Sequence, residues 1–120
     1  MPEQNKILIV DDEKIIRDFL SDVLNDYPLS LAENGKEAIE KLQQENYRLI
    51  ITDLKMPEVG GIQVVKAVKK MNPNVCVIVI TGYASLETEI ECTKLGVTDY
   101  IKKPFTVERI RKAVKNVWEK

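Results

Sequence analysis

The sequence predicts an α/β domain, a doubly wound (βα)5 arrangement in which helices cover both faces of a five-stranded, mostly parallel sheet. The first observation is a set of five short apolar, strand-like runs, at residues 7–10, 29–31, 49–51, 75–80 and 100–101. The second is that each interval between them is long enough for a helix. Because such an alternation forms parallel sheets with right-handed crossovers, few other topologies are open.

The first two helical intervals carry apolar residues at the spacing of one helix face. In the first interval these residues are Ile15, Ile16, Phe19, Leu20, Val23 and Leu24. Tyr27-Pro28 is expected to end this helix, because proline disfavours helical backbone in the residue before it. After the second strand, Asn34-Gly35 predicts a turn. The helix that follows is marked by Ala38, Ile39 and Leu42.

The last three helices differ in how clearly their apolar faces are defined. The third carries Ile62, Val65 and Val68 and is closed by Asn-Pro-Asn at 72–74. The fourth, residues 85–95, has Leu86, Ile90 and Leu95 as its main apolar positions, followed by Gly96 as a C-cap. Three glutamates interrupt that pattern, so we expect this helix to pack thinly and to move more easily than the neighbouring helices. The fifth is the clearest amphipath, with Thr106 as N-cap before Val107, Ile110, Ala113, Val114, Val117 and Trp118.

Composition indicates one globular domain over residues 1–120, with 44% hydrophobic and 31% charged residues. Lysine plus arginine (18) nearly balances aspartate plus glutamate (19), so direct binding of nucleic acid by this domain is not expected. The first apolar run, Ile7–Val10, is too short for a signal-peptide core or a membrane span, and the longer run at residues 75–80 is too short as well. A cytoplasmic location without membrane contact is therefore the expectation.

The cysteines and the absence of histidine limit the possible chemistry. Cys76 lies in a strand-like run and Cys92 in a helical one, without C-x-x-C spacing, so both are interpreted as packing residues. With no histidine in the chain, a zinc site and histidine-based activation of a nucleophile are not expected. Any chemistry must use carboxylates, hydroxyls, lysine and a metal ion.

Polar residues stand where four of the predicted strands end. Asp11 and Asp12 follow the first strand, Asp53 the third, Thr81 the fourth and Lys103 the fifth. Taken singly, each has an ordinary explanation, because aspartate and threonine are common in turns and caps and lysine is usually solvated. In a parallel sheet, however, reactive groups gather at the carboxyl ends of the strands. The set therefore predicts one shared site.

That set of residues indicates phosphoryl chemistry with Mg²⁺. Clustered carboxylates repel unless a cation or a basic group neutralises them, and oxygen-only ligands favour Mg²⁺ over zinc or copper. A carboxylate such as Asp53 can attack phosphorus, while Lys103 supplies positive charge and the Thr81 hydroxyl donates a hydrogen bond to a phosphoryl oxygen. No further base is needed, because the nucleophile is ionised at neutral pH.

Four segments resemble motifs of the response-regulator receiver family, and the resemblance covers essentially the whole chain. They are I-L-I-V-D-D-E (7–13), I-I-T-D-L-K-M-P (50–57), V-I-V-I-T-G-Y-A (77–84) and D-Y-I-K-K-P-F (99–105). The resemblance implies a flavodoxin-like, chemotaxis-regulator-like fold with strand order 2-1-3-4-5. T-G-Y-A-S-L-E-T further resembles receivers of transcriptional activators of the nitrogen-regulation class, which is the weaker likeness.

The resemblance also implies roles for individual residues. Asp53 is the expected phosphoacceptor, with Asp12, Asp53 and the Lys55 backbone carbonyl as direct Mg²⁺ ligands and Asp11 acting through a metal-bound water. Thr81 and Tyr100 are the implied switch pair. Lys103 is preferred over its neighbour Lys102, because it directly precedes Pro104 as in the family and strand alternation should send Lys102 the other way. A cis peptide often precedes this proline in the family.

As a family member the domain would be a signalling switch and not an enzyme, although it would assist its own phosphorylation and dephosphorylation. The expected donors are a sensor histidine kinase, a phosphotransfer protein in a phosphorelay, or a small phosphodonor. The face of the fourth helix, fifth strand and fifth helix is the expected output surface and possible homodimer face. Gly60 stands where an acidic residue is frequent, and Lys55 and Tyr83 occupy positions that in the family flank the path of the hydrolytic water.

Three other functions are possible on the same fold. A phosphorylation-independent interaction module would usually lack one of the acidic, hydroxyl or lysine groups. A flavin or dinucleotide binder would need a glycine- or hydroxyl-rich loop after the first strand, where Asp11 and Asp12 stand instead. An Mg²⁺-dependent phosphatase would need a cap that 120 residues leave little length to build. A stand-alone receiver, a phosphorelay intermediate and a part of a longer regulator all fit the sequence.

Overall fold

The computed structural model describes residues 6–119, which form a five-stranded parallel sheet flanked by five helices. The strands are β1 (Ile7–Val10), β2 (Leu29–Ala32), β3 (Leu49–Asp53), β4 (Cys76–Thr81) and β5 (Asp99–Lys102). The helices are α1 (Lys14–Val23), α2 (Gly35–Gln44), α3 (Gly61–Met71), α4 (Leu86–Leu95) and α5 (Val107–Trp118). The strand order is β2-β1-β3-β4-β5, with every pairing parallel, which confirms the predicted fold class and topology.

Two apolar clusters cover the two faces of the sheet because successive strand residues point to opposite sides. Ile7 and Ile9 of β1 pack with residues of α1 and α5, whereas Leu8 and Val10 pack with residues of α2, α3 and α4. Near-continuous apolar strands are what a parallel sheet buried on both faces requires. The strands are thereby covered by helices on both faces, and Asp53 and Thr81 are the last residues of β3 and β4, at the carboxyl edge of the sheet.

The boundaries of several elements follow the predicted caps. The side chain of Thr106 accepts a hydrogen bond from the Arg109 backbone N–H at 3.1 Å, and that of Asn34 accepts from Glu37 N–H at 2.8 Å. Gly96 adopts the left-handed conformation, with φ of 83°, at the C-cap of α4. Each cap satisfies backbone groups that the helix itself cannot pair.

Several predicted boundaries differ from the structure. Helix α1 ends at Val23 and not at Tyr27-Pro28, because the chain turns there with a hydrogen bond from Tyr27 N–H to Leu24 C=O at 3.0 Å. The Tyr27 ring then packs edge-on against Trp118, with 4.9 Å between centroids. The strands β3 and β4 run further than predicted, so that Asp53 and Thr81 are their last residues and not the residues after them.

Helix α4 packs thinly, as its sequence predicts. Its buried residue is Cys92, whereas Leu86 is 73% and Ile90 45% exposed. Two of the three main apolar positions of this helix therefore face outward. Within residues 6–119, none of the helices combines the length and the apolar character needed to cross a bilayer.

Candidate functional site

Four carboxylates meet at the carboxyl edge of the sheet. Because β1 and β3 are neighbours, the chain leaving Val10 lies beside Asp53 at the end of β3. One oxygen from each of Asp11, Asp12, Glu13 and Asp53 lies within 4.8 Å of the others. Asp11 and Asp53 are buried, and the other two are exposed. A compact set of oxygen donors, open to solvent on one side, suits a hard cation such as Mg²⁺, so the donor chemistry fits the implied metal.

Lys103 neutralises part of this charge. Its Nζ atom lies 3.2 Å from Asp53 Oδ2, 3.3 Å from Asp11 Oδ2 and 3.5 Å from Glu13 Oε1. Burial lowers the pKa of Lys103, but attraction by Asp11 and Asp53 outweighs burial and leaves the pKa above its ordinary value. Lys103 therefore stays charged, which is what a group that stabilises transferring phosphoryl oxygens must do.

The adjacent lysines Lys102 and Lys103 have different surroundings. Lys102 is exposed, while the Lys103 side chain is only 16% exposed and reaches into the acidic cluster. The Lys103 N–H donates to the Thr81 carbonyl at 2.8 Å, and the peptide bond before Pro104 is cis, as expected.

Asp11 is the fully buried member of the cluster. Burial raises its pKa to about 6, against the opposing effects of the Glu13 N–H, which donates to Asp11 Oδ1 at 2.9 Å, and of Lys103. The charged form of a carboxylate that has lost its water shell is strongly stabilised by a nearby cation. The environment of Asp11 therefore favours positive charge in the cleft.

The loop after β3 is shaped by glycine. A Cβ atom added at Gly61 would lie 2.0 Å from the Asp53 carbonyl oxygen, so no larger residue fits without movement of the backbone. The Gly61 N–H donates to the Leu54 carbonyl at 2.8 Å and closes the turn. Within this turn the Lys55 N–H faces Asp53 Oδ1 at 3.4 Å. The turn thereby holds the Lys55 backbone beside the Asp53 carboxylate.

Thr81 is buried at the end of β4, and Tyr83, two residues further along the chain, lines the cleft. The buried Thr81 Oγ1 atom accepts a hydrogen bond from the Tyr83 N–H at 2.9 Å, which leaves the hydroxyl proton available as a donor. The Tyr83 ring is 64% exposed, and Lys55 Nζ lies 4.3 Å from its centroid. The open cleft, of about 610 Å³, is lined by Asp12, Glu13, Asp53, Lys55, Gly82, Tyr83 and Lys103.

The predicted switch residues, Thr81 and Tyr100, are not hydrogen-bonded to each other through their side chains. Tyr100 stands beside Val79 in the sheet register, while Thr81 pairs with Lys102. The Tyr100 hydroxyl is hydrogen-bonded to Thr88 Oγ1 at 2.8 Å and not to Thr81. The structure therefore shows Tyr100 engaged with helix α4.

Glu13 belongs to the site, although it was not among the predicted site residues. Its carboxylate joins the acidic cluster and contacts Lys103. The available signal was its position directly after Asp12, but glutamates near helix starts are common for electrostatic reasons alone. The direction of its side chain depends on where α1 begins, which is at Lys14.

The fold and the site together define a phosphoacceptor-type signalling domain, and comparison with known proteins gives the family. The model of the response regulator receiver domain family matches residues 7–115, and the chain belongs to this family. Members are signalling switches of two-component systems that are phosphorylated on aspartate, bind Mg²⁺ through an acidic cluster and interact with histidine kinases or phosphotransfer proteins.

Two curated relatives differ in length. The chain is 38% identical over 112 residues to sporulation initiation phosphotransferase F of Bacillus subtilis, covering 92% of this chain and 90% of that protein. It is 35% identical over 111 residues to the transcriptional regulatory protein ZraR of Klebsiella oxytoca, covering 91% of this chain and 25% of ZraR. The chain thus spans about a quarter of the length of ZraR.

A solved structure supports the likeness to regulators of the nitrogen-regulation class. The solution structure of the beryllofluoride-activated NtrC4 receiver domain dimer matches with a TM-score of 0.90 and 33% identity. The match covers 96% of this chain and 97% of that chain.

Proposed function

We propose that this domain accepts a phosphoryl group on Asp53 in an Mg²⁺-dependent reaction with a sensor histidine kinase, a phosphotransfer protein or acetyl phosphate. The observation that carries the proposal is the position of Lys103, whose Nζ bridges the carboxylates of Asp11 and Asp53 at 3.3 and 3.2 Å. A charged lysine buried beside a nucleophilic carboxylate is suited to binding the oxygens of an incoming phosphoryl group.

In the transfer step, an Oδ atom of Asp53 forms the new bond to phosphorus. The bond from phosphorus to the donor breaks, and its electron pair leaves with the donor, a histidine nitrogen or an acetate oxygen. Lys103 binds the transferring oxygens, and the Thr81 hydroxyl donates to one of them once the phosphoryl group is on Asp53. The product is an acyl phosphate on a largely buried side chain.

Asp12, Asp53 and the Lys55 backbone carbonyl would hold Mg²⁺ directly, with Asp11 acting through a bound water. When bound, the ion would neutralise negative charge on the phosphoryl oxygens. The exposed Asp12 carboxylate and the open cleft leave room for metal, water and phosphoryl group together.

The output is proposed to be a change at the face formed by α4, β5 and α5. Phosphorylation would recruit Thr81, shift the loop beginning at Gly82 and open a space for the Tyr100 ring. The exposed Leu86 and Ile90 give this face apolar area for a partner or a second copy. The beryllofluoride-activated NtrC4 receiver domain is described as a dimer, which supports a second copy as one possible partner. We further propose a cytoplasmic domain that binds neither nucleic acid nor membrane itself.

The proposal is tested by intact-mass measurement after incubation with acetyl phosphate, with Mg²⁺ or with a chelator. Wild type should gain one phosphoryl group only with Mg²⁺, and Asp53→Asn should gain none. Equal phosphorylation of the variant, or equal phosphorylation of wild type with and without Mg²⁺, would refute the proposal. Controls for the alternative functions are a cofactor search by native mass spectrometry and a phosphatase assay.

A further inference from the structure

Arg17 is a largely buried arginine on α1 that reaches back to the loop after β1. Its side chain is 13% exposed, and its Nη1 atom donates to the backbone carbonyl of Asp11 at 2.7 Å. Its Nη2 atom lies 3.9 Å from Glu33 Oε2, just beyond β2. The planar guanidinium therefore contacts two loops at once, which a lysine ammonium cannot do with the same geometry.

The carbonyl that Arg17 binds belongs to the peptide unit joining Asp11 to Asp12. Asp11 is fixed by other contacts, since its N–H donates to the Ala32 carbonyl at 3.2 Å and its carboxylate pairs with Lys103. Within residues 6–119, the Asp12 side chain makes no hydrogen bond or ion pair that would orient it. The direction of the Asp12 carboxylate therefore depends on the backbone that Arg17 holds.

We infer that Arg17 is a positioning residue for the acidic cluster, which aims Asp12 into the cleft by fixing the peptide unit between Asp11 and Asp12. The inference rests on the proposed function, in which Asp12 is a direct Mg²⁺ ligand. Groups behind the ligands of a metal site set ligand orientation, and their loss typically weakens metal binding roughly 10- to 100-fold.

The direction in which Mg²⁺ affinity changes when Arg17 is replaced distinguishes a positioning role from a purely electrostatic one. Arg17→Met removes a positive charge near four carboxylates, and by Coulomb attraction alone this loss should strengthen Mg²⁺ binding. Loss of positioning should weaken Mg²⁺ binding, roughly tenfold. Lys14→Met is the matched control, because Lys14 lies on the same helix, is 78% exposed and pairs with Asp18, not with the loop. It should leave Mg²⁺ affinity unchanged or slightly increased.

The experiment titrates Mg²⁺ alone into the full chain and follows the amide signals of Asp12 and Lys55 by NMR, with the melting temperature of each variant recorded. Arg17→Met should bind Mg²⁺ roughly tenfold more weakly than wild type, and Arg17→Lys, which can keep a hydrogen bond to the Asp11 carbonyl but not the fork geometry, should recover part of the loss. Affinity in Arg17→Met equal to or above that of wild type would overturn the inference, including when the melting temperature falls.

Failure of this inference is distinguishable from failure of the proposed function. If wild type binds Mg²⁺ and is labelled on Asp53 while Arg17→Met binds Mg²⁺ equally well, only the role of Arg17 is wrong. If wild type binds no Mg²⁺, the proposed function and the inference are both wrong.

Discussion

The hydroxyl of Tyr100 lies 2.8 Å from Thr88 Oγ1, so a hydrogen bond joins β5 to the first turn of α4. The same Thr88 oxygen accepts from the Ser85 N–H at 3.2 Å, and the Thr88 N–H donates to Ser85 Oγ at 3.1 Å. The position of the Tyr100 ring is thereby tied to the N-terminal cap of the helix that packs most thinly. An inward movement of Tyr100 toward Thr81 must break this bond.

Tyr100→Phe should favour the inward arrangement, because it removes the bond to Thr88 and leaves the Ser85 cap intact. A net hydrogen bond contributes about 1 kcal/mol, which corresponds to about a fivefold change in the equilibrium. The measurement is NMR of amide shifts with and without beryllofluoride and Mg²⁺, a ligand pair that stands in for the phosphoryl group. Outside the metal site, the shifts should concentrate between Gly82 and Lys103. In the variant without ligand, the amide signals of these residues should already be displaced part of the way from the free to the ligand-bound positions of wild type.

Tyr27→Phe is the control for the previous prediction, because it removes a tyrosine hydroxyl from the opposite end of the sheet. Its spectra should show local changes only. Shifts confined to residues that touch the ligand, or spread mainly over residues 34–46, would show that the proposed switch is wrong.

Tyr83→Ala should shorten the lifetime of the phosphorylated form several-fold. The Lys55 ammonium lies 4.3 Å from the centre of the Tyr83 ring, and both residues line the cleft that contains Asp53, so removal of the ring should give water easier access to Asp53. Decay of the phosphorylated mass after removal of the donor gives the half-life. Tyr83→Phe keeps the ring and should decay like wild type, whereas an unchanged half-life in Tyr83→Ala would show that Tyr83 is an ordinary solvated residue.

Asp12→Ala should weaken Mg²⁺ binding more than Asp11→Ala, because Asp12 is the proposed direct ligand and Asp11 acts through water. The environments of the two residues differ, since Asp12 is exposed while Asp11 is buried with its pKa raised by burial to about 6. Calorimetric Mg²⁺ titration of both variants at neutral pH measures the order. Weaker Mg²⁺ binding in Asp11→Ala than in Asp12→Ala would show that Asp11 is the direct ligand and Asp12 the water-mediated one.

Gly61→Ala should destabilise the domain by roughly 1–3 kcal/mol, because the new Cβ would lie 2.0 Å from the Asp53 carbonyl oxygen. Gly82→Ala is the matched control, since its Cβ would come no closer than 3.9 Å to the Lys103 side chain. Urea unfolding gives both free energies. Equal stability of the two variants would contradict the tight turn described after β3.

The sequence predicted most of the fold because alternating apolar runs and helical spacings constrain a parallel sheet strongly. The sequence also predicted that Asp11, Asp53 and Lys103 lie close together, since the carboxyl ends of the strands of a parallel sheet share one edge. Local caps such as Thr106 were equally predictable, because the hydrogen bond that makes a cap joins residues close in sequence.

Contacts between elements distant in sequence could not be predicted in the same way. The bond from Tyr100 to Thr88 depends on how α4 lies against β5, and that contact is set by packing in three dimensions. The packing of the Tyr27 ring, just after the end of α1, against Trp118 from the far end of the chain is a contact of the same kind. Glu13 enters the site through the start of α1, a boundary that apolar spacing does not fix.

The most direct test of the central claim is to locate the phosphoryl group chemically. Borohydride reduces an aspartyl phosphate to homoserine, so protein treated with acetyl phosphate and Mg²⁺, reduced and digested should contain homoserine at position 53. Peptide mass spectrometry should find this change at Asp53, and at neither Asp11 nor Asp12, with none when Mg²⁺ is chelated. Homoserine at Asp11 or Asp12, or none at Asp53 in protein that has gained the phosphoryl mass, would contradict the account.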